Sequence, residues 1–124
     1  MLCGPRVLLI DPIFDAVREY VLALRFTSII KIRVRDPLVR GGHIRMRLAI
    51  VYDVIDLKAV HRILADIERI LRSHIIYYIQ EMSRRGILDF NNVSRIEKYL
   101  HRELGLKLEN FGIRIYSVEI IEID

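Results

Sequence analysis

The chain has 124 residues, of which 52% are hydrophobic and 29% charged, and its formal net charge is +4. This length supports a single domain over residues 1–124 with a modest core, and the composition argues against a disordered chain. No apolar run reaches the length of about eighteen residues that a membrane-spanning helix requires, so the chain as it stands is expected to be soluble. The lack of tryptophan and the abundance of isoleucine, arginine and glutamate suggest a heat-adapted source.

The single cysteine, Cys3, limits the redox and metal chemistry of the chain. One cysteine excludes an internal disulfide and a cysteine-based zinc site, and it favours an intracellular, reducing compartment. Its role stays open between an inert thiol and an acylated residue that faces a membrane.

Three or four strands are predicted in the first half of the chain. Residues 7–10 form a short apolar run, and residues 16–26 carry apolar side chains on both faces. Residues 30–35 alternate Ile or Val with Lys or Arg, and residues 43–54 continue this alternation. Period two buries one face of a strand and leaves the other in solvent. The two alternating strands, joined by a loop over residues 36–42, are therefore expected to pair antiparallel.

The period changes to three and four after the long strand, which predicts a first helix. Asp56 is expected to cap its start, because a carboxylate accepts the unpaired backbone N–H groups there. Gly86 suits the position just past the helix end. The predicted apolar stripe comprises Leu57, Val60, Leu64, Ile67, Leu71, Ile75, Tyr78 and Met82.

A second helix is predicted over residues 93–109, capped by Asn91 or Asn92. Glu97 is expected to act as the capping partner of Ser94. The predicted stripe comprises Val93, Ile96, Leu100, Leu104 and Leu108. Gly105 costs roughly 1 kcal/mol relative to alanine inside a helix, so it predicts either a weak point or a close packing contact.

The chain is predicted to end in a turn and a strand. Phe111-Gly112-Ile113 forms a turn with a glycine that can take positive φ, and alternating apolar residues follow it. The order of elements predicts an α+β fold, a mainly antiparallel sheet with two or three helices packed against it.

Five short segments match, in order and spacing, a pattern known from one family. They are Gly4-Pro5 leading to Pro12-Ile13-Phe14-Asp15, then Val34-Arg35-Asp36-Pro37, Val51-Tyr52-Asp53-Val54-Ile55-Asp56, Asn92-Val93-Ser94-Arg95-Ile96-Glu97 and Phe111-Gly112-Ile113. Together they resemble the SPFH or band-7 domain of stomatins, prohibitins and flotillins. Members of that family normally carry a membrane anchor before the domain and often a coiled coil after it. Neither is expected within residues 1–124.

The resemblance implies a function as well as a fold. It implies a non-enzymatic scaffold module that forms ring-like homo-oligomers and is intracellular and membrane-associated in its full-length context. Such modules organise membrane patches or regulate a membrane protease, so the implied partners are a membrane surface or a membrane protein. The residues themselves agree on chemistry: no phosphate-binding loop, nucleophile elbow or converging histidines occur, so we predict no catalytic site, metal or cofactor.

A basic hairpin is the most informative functional feature. Its cations are expected to share one sheet face, and they are Lys31, Arg33, Arg35, Arg40, Arg45 and Arg47. Like charges on neighbouring strands destabilise a hairpin unless something anionic lies opposite. That anion could be the acidic residues of the final strand, Glu119, Glu122 and Asp124, within the chain or from a neighbouring subunit. It could also be a membrane or a nucleic acid.

These alternatives lead to two functions. A basic N-terminal half and an acidic C-terminal end suit head-to-tail contacts between subunits, which give rings or filaments. The alternative is a small basic α+β module that binds nucleic acid through the 31–47 hairpin, a less favoured interpretation because no stacked aromatic platform is predicted.

Overall fold

The computed structural model describes residues 6–9, 22–35, 42–56, 58 and 60–124, and it confirms the predicted α+β class. One antiparallel sheet has the order β1-β2-β3-β4, with strands Arg6–Leu9 (β1), Leu22–Arg35 (β2), His43–Val54 (β3) and Ile113–Ile123 (β4). Two helices, Val60–Arg84 (α1) and Val93–Leu108 (α2), pack against the sheet, and a 3-10 turn, Glu109–Phe111, joins α2 to β4. Cys3, Arg40 and the motif segments 4–5, 12–15 and 36–37 lie outside the described residues.

The long strand β2 runs without interruption from Leu22 to Arg35, so the prediction of separate strands at 16–26 and 30–35 is wrong within the described residues. The polar Ser28 interrupts the apolar alternation in the sequence, although its side chain faces the core. Its hydroxyl lies 3.2 Å from that of Tyr52, and both side chains are fully buried. The Phe26 ring stacks on Tyr52 with the centroids 5.7 Å apart. A satisfied hydroxyl pair is thus tolerated at an inward position.

The neighbouring strand β3 follows its predicted alternation. Its inward residues are all buried, namely Ile44, Met46, Leu48, Ile50, Tyr52 and Val54. They form the central layer of the core because β3 lies between β2 and β4. The alternate residues of β3 point to the opposite face of the sheet, and Arg45, Arg47 and Asp53 among them are charged.

Helix α1 begins later than predicted and is rotated about its axis. It starts at Val60, whereas the Asp56 carboxylate accepts a hydrogen bond from the Lys58 amide at 3.1 Å, a local turn that precedes the helix. The residues that it buries are Ile63, Ile67, Leu71, Ile75, Ile79 and Met82. Leu64 and Tyr78 were predicted inside and lie instead at the boundary of the core.

The end of α1 confirms the prediction made for Gly86. This glycine has φ +71°, and its amide donates to the Ser83 carbonyl at 3.0 Å. The Ile87 amide donates to the Met82 carbonyl at 3.0 Å. These two bonds form a Schellman motif, which satisfies carbonyls that the helix itself leaves unpaired.

Helix α2 begins where predicted, with Asn92 as its cap. The Asn92 side chain accepts from the Arg95 amide at 3.3 Å. Four residues of the predicted stripe, Ile96, Leu100, Leu104 and Leu108, are fully buried, whereas Val93, predicted with them, is only partly buried. A Cβ added at Gly105 would meet nothing within 4 Å, so the close packing contact predicted as one alternative there is wrong.

Side chains of the helices satisfy backbone groups at the sheet edges. Glu97 accepts a hydrogen bond from the Ile120 amide of β4 at 2.7 Å, so its predicted role as a cap for Ser94 is wrong. Nε2 of His101 donates to the Tyr116 carbonyl at 3.2 Å. An exposed strand edge offers unpaired groups to other chains, and side-chain partners of this kind reduce that risk.

The Phe111-Gly112-Ile113 turn ties the start of β4 to the end of β3. Gly112 has φ +75°, as the sequence predicted for this turn. Its carbonyl accepts from the amides of Ile55 at 2.8 Å and Asp56 at 3.4 Å. A Cβ at Gly112 would lie 2.6 Å from the Asp56 Cβ, so the backbone approach is closer than any other residue permits.

Candidate anionic-surface site on the open sheet face

The cations of β2 and β3 lie on the face of the sheet that α1 and α2 leave uncovered. The register places Lys31 opposite Arg47 and Arg33 opposite Arg45. Arg35 lies opposite His43, a residue that the sequence interpretation did not include. We call the set of Lys31, Arg33, Arg35, Arg45 and Arg47 the basic patch; Arg40 lies outside the described residues.

The patch forms two rows of positive charge. Alternate side chains on one strand are about 7 Å apart, and directly opposed ones on neighbouring strands are about 5 Å apart. All but the half-buried Arg47 are exposed. Because opposed like charges repel, this arrangement is less stable than one with alternating signs, and an anion placed over both rows would relieve the repulsion.

The acidic residues of the final strand lie beside the patch. Glu122 pairs with Arg47 in register, and its Oε2 is 3.1 Å from the Arg47 Nη2. Asp124 exchanges backbone hydrogen bonds with Arg45 at 2.9 and 3.3 Å, and Glu119 lies opposite Ala49. The charges that are far apart in the sequence therefore adjoin on one face, so they do not form two remote surfaces.

This intrachain neutralisation is partial. The Arg47–Glu122 pair joins two half-exposed side chains, and ion pairs of that type contribute at most about 1 kcal/mol. The Arg47 Nε is buried and has no hydrogen-bond partner among the described residues. A shallow cavity of about 390 Å³ lies between Lys31, Arg33, Arg45 and the acidic pair of β4. It offers an anion several charged donors at once.

A different cluster occupies the other end of the open face. Arg25 donates to both carboxylate oxygens of Asp53, at 2.7 and 2.9 Å, and its guanidinium lies 3.9 Å above the Tyr116 ring. The hydrogen bond to Asp53 raises the pKa of Arg25. The sequence interpretation missed this cluster, because the three residues come from three strands and only the register brings them together.

Among the described residues, no group of three or more His, Cys, Asp or Glu side chains has a geometry that could hold a metal ion. The same residues include no helix with both the length and the apolar character needed to cross a bilayer. No model of a known protein family matches the chain, and no curated protein matches it either.

Proposed function

We propose that this domain is a non-enzymatic scaffold module that oligomerises and lies at an anionic membrane surface. The observation that carries the proposal is the basic patch, in which opposed cations such as Arg33 and Arg45 share an uncovered sheet face. Cationic side chains near an anionic leaflet contribute about 1 kcal/mol each, so a patch of this size gives useful, salt-sensitive attachment.

The resemblance to SPFH domains supplies the rest of the proposal. It supports homo-oligomerisation, the organisation of membrane patches and the regulation of a membrane protease as cellular roles. Glu122 already pairs with Arg47 within the chain, on the same face as the patch, so the assembly part of the proposal rests on the resemblance. A nucleic-acid-binding function receives less support, because no Phe or Tyr ring of the described residues lies among the patch side chains to stack on bases.

Co-sedimentation with liposomes tests the membrane part. The full chain is mixed with anionic phosphatidylserine-containing vesicles or neutral phosphatidylcholine vesicles, at low and moderate salt, with duplex DNA as competitor. We expect pelleting only with anionic vesicles and weakening as salt rises. Displacement by stoichiometric DNA would instead establish a nucleic-acid-binding module.

Charge reversal locates the contact. Arg33→Glu with Arg45→Glu keeps the two opposed residues alike in charge, so the fold is expected to survive, and binding is expected to fall at least about tenfold. Lys58→Glu with Arg62→Glu changes the net charge equally, at exposed positions near the start of α1, and is expected to bind almost normally. Equal losses in the two variants would contradict a role for the patch.

Light scattering across a concentration series tests assembly, and an unchanging monomer mass would refute it.

A further inference from the structure

A second recessed site lies between the two helices, on the side of the molecule away from the basic patch. This interhelical cleft has a volume of about 540 Å³ and is lined by Tyr77, Tyr78 and His74 of α1, by Tyr99 of α2, and by Glu81 and Glu103. The volume is within the usual range for ligand sites. The rotation of α1 that moved Tyr78 out of the core places its ring here.

The aromatic rings in the cleft are arranged edge to face. The ring centroids of Tyr77 and Tyr78 are 5.2 Å apart at an interplanar angle of 77°, and those of Tyr78 and Tyr99 are 6.4 Å apart at 73°. A ring face attracts cations through its quadrupole, and the chain already uses one in this way, since the Arg102 guanidinium carbon lies 5.5 Å from the Tyr99 ring centroid. Burial raises the pKa of the Tyr78 hydroxyl, and the nearby Glu103 carboxylate raises it further.

The carboxylates of the cleft are less exposed to solvent than the cations that pair with them. Glu81 and Glu103 are 21% and 29% exposed, whereas their partners Arg84, Arg85 and Arg102 are 69%, 62% and 65% exposed. Each of the three pairs joins residues that are close in sequence, within or just past the end of a helix, and exposed pairs of this type are weak. A ligand that also contacts the rings can therefore displace these cations.

The chain contains an example of the chemistry that such a site recognises. At the far end of the open sheet face, Arg25 binds Asp53 through two hydrogen bonds while its guanidinium covers the Tyr116 ring at 3.9 Å. A guanidinium is planar and weakly hydrated, so it stacks on a phenol and binds a carboxylate at the same time. The cleft offers the same two group types, and the chain's own arginines already engage them: Arg85 pairs with Glu81, and Arg102 pairs with Glu103 while lying over the Tyr99 ring. A partner's arginine would take the place of one of these weakly held cations.

We propose that the interhelical cleft binds the guanidinium group of an arginine side chain that a partner polypeptide presents. The cleft is larger than one guanidinium group, so it also accommodates the flanking backbone. Arg85 and Lys107 line it as well and can donate hydrogen bonds to peptide carbonyls. The cleft and the basic patch lie on opposite sides of the sheet, so binding at one can be measured while the other is disabled.

Nuclear magnetic resonance of the tyrosine rings tests this proposal, because the chain has six tyrosines and no tryptophan. The probe is acetyl-Gly-Arg-Gly-amide, and its control replaces arginine by citrulline, a neutral side chain of nearly the same shape. We expect the arginine peptide to shift the ring signals of Tyr77, Tyr78 and Tyr99, with a Kd in the millimolar range, and to leave the buried Tyr52 unmoved. Citrulline should shift none of them.

Two carboxylate variants and a matched control test whether the peptide binds in the cleft. Glu81→Gln and Glu103→Gln are each expected to weaken binding about three- to tenfold, because the bond to the guanidinium loses its charge. Glu119→Gln makes the same change on the open sheet face and should have no effect. The absence of shifts, equal shifts with citrulline, or full affinity in both cleft variants would each overturn the proposal. Shifts of the same rings on simple dilution of the protein would support it and identify the partner as a second copy of the chain.

Discussion

Replacing Gly112 by alanine tests how the Phe111-Gly112-Ile113 turn joins the end of β3 to the start of β4. The substitution adds one methyl group at a residue with φ +75°. The new Cβ would lie 2.6 Å from the Asp56 Cβ and 3.3 Å from the Asp56 amide nitrogen. Carbon atoms in contact prefer separations of about 3.5–4.0 Å, so one of the two segments must move.

The expected loss of stability has two sources. A left-handed conformation costs alanine about 1–2 kcal/mol. Moving the Asp56 segment weakens the hydrogen bond from the Ile55 amide to the Gly112 carbonyl, now 2.8 Å, and a net hydrogen bond contributes about 0.5–1.5 kcal/mol. Together these effects should lower the free energy of unfolding by about 3 kcal/mol, a large part of the 5–15 kcal/mol typical of a domain.

Two other glycines provide controls with the same chemical change. Gly86 has φ +71° but nothing within 4 Å of an added Cβ, so Gly86→Ala should cost only the backbone share of about 1–2 kcal/mol. Gly105 lies inside α2 and is equally unobstructed, so Gly105→Ala should stabilise the protein by about 1 kcal/mol.

Urea unfolding followed by far-ultraviolet circular dichroism measures the three variants against the natural chain. The expected order of stability is Gly105→Ala, natural chain, Gly86→Ala, Gly112→Ala, with an unchanged dependence on urea concentration. If Gly112→Ala proves no less stable than Gly86→Ala, the contact with Asp56 does not constrain the turn. Partial recovery on adding Asp56→Gly to Gly112→Ala would confirm the steric share.

Two further predictions concern the hydroxyl pair in the core. Ser28→Ala and Tyr52→Phe should each lower the free energy of unfolding by about 1–3 kcal/mol, because each leaves the other hydroxyl buried and unpaired. The double variant should lose less than the sum of the two. Additive losses in a double-mutant cycle, measured by denaturation, would contradict the pairing. Burial also raises the pKa of Tyr52 above its ordinary value of 10.0, so the unfolded chain releases this proton first. Stability should therefore fall as pH rises through about 10, by up to about 1.4 kcal/mol per pH unit, and Tyr52→Phe should lack this contribution. Parallel stability curves for the two proteins above pH 10 would refute the prediction.

Local pattern was sufficient for much of the fold. The alternation in β3 identified its buried residues, since a side chain points to one face or the other according to its position alone. The sequence pattern also predicted most of the buried stripe of α2, its cap at Asn92 and the end of α1 at Gly86. Each depends on residues within about one turn of each other, and the sequence contains all of that information.

The candidate sites were only partly predictable. The sequence placed the cations of β2 and β3 on a common face because the alternation and the short connection imply an antiparallel hairpin. It could not place Glu122 beside Arg47, because two helices separate those strands and the register shifts between Arg47 and Leu48. The sequence also contained no indication that the tyrosines of the interhelical cleft lie together. They meet only because α1 and α2 pack side by side on the sheet.

The sequence by itself determined which residues prefer strand or helix and which face of each element is apolar, since both follow from local sterics and the periodicity of side chains. Only the tertiary structure decided the rotation of α1, the bond from Ile120 to Glu97 and the burial of Ser28. In each case the partner is more than twenty residues away or on another element. The choice among partners is made by packing all the elements into one core, where a polar group is stable only if the fold supplies its hydrogen bond.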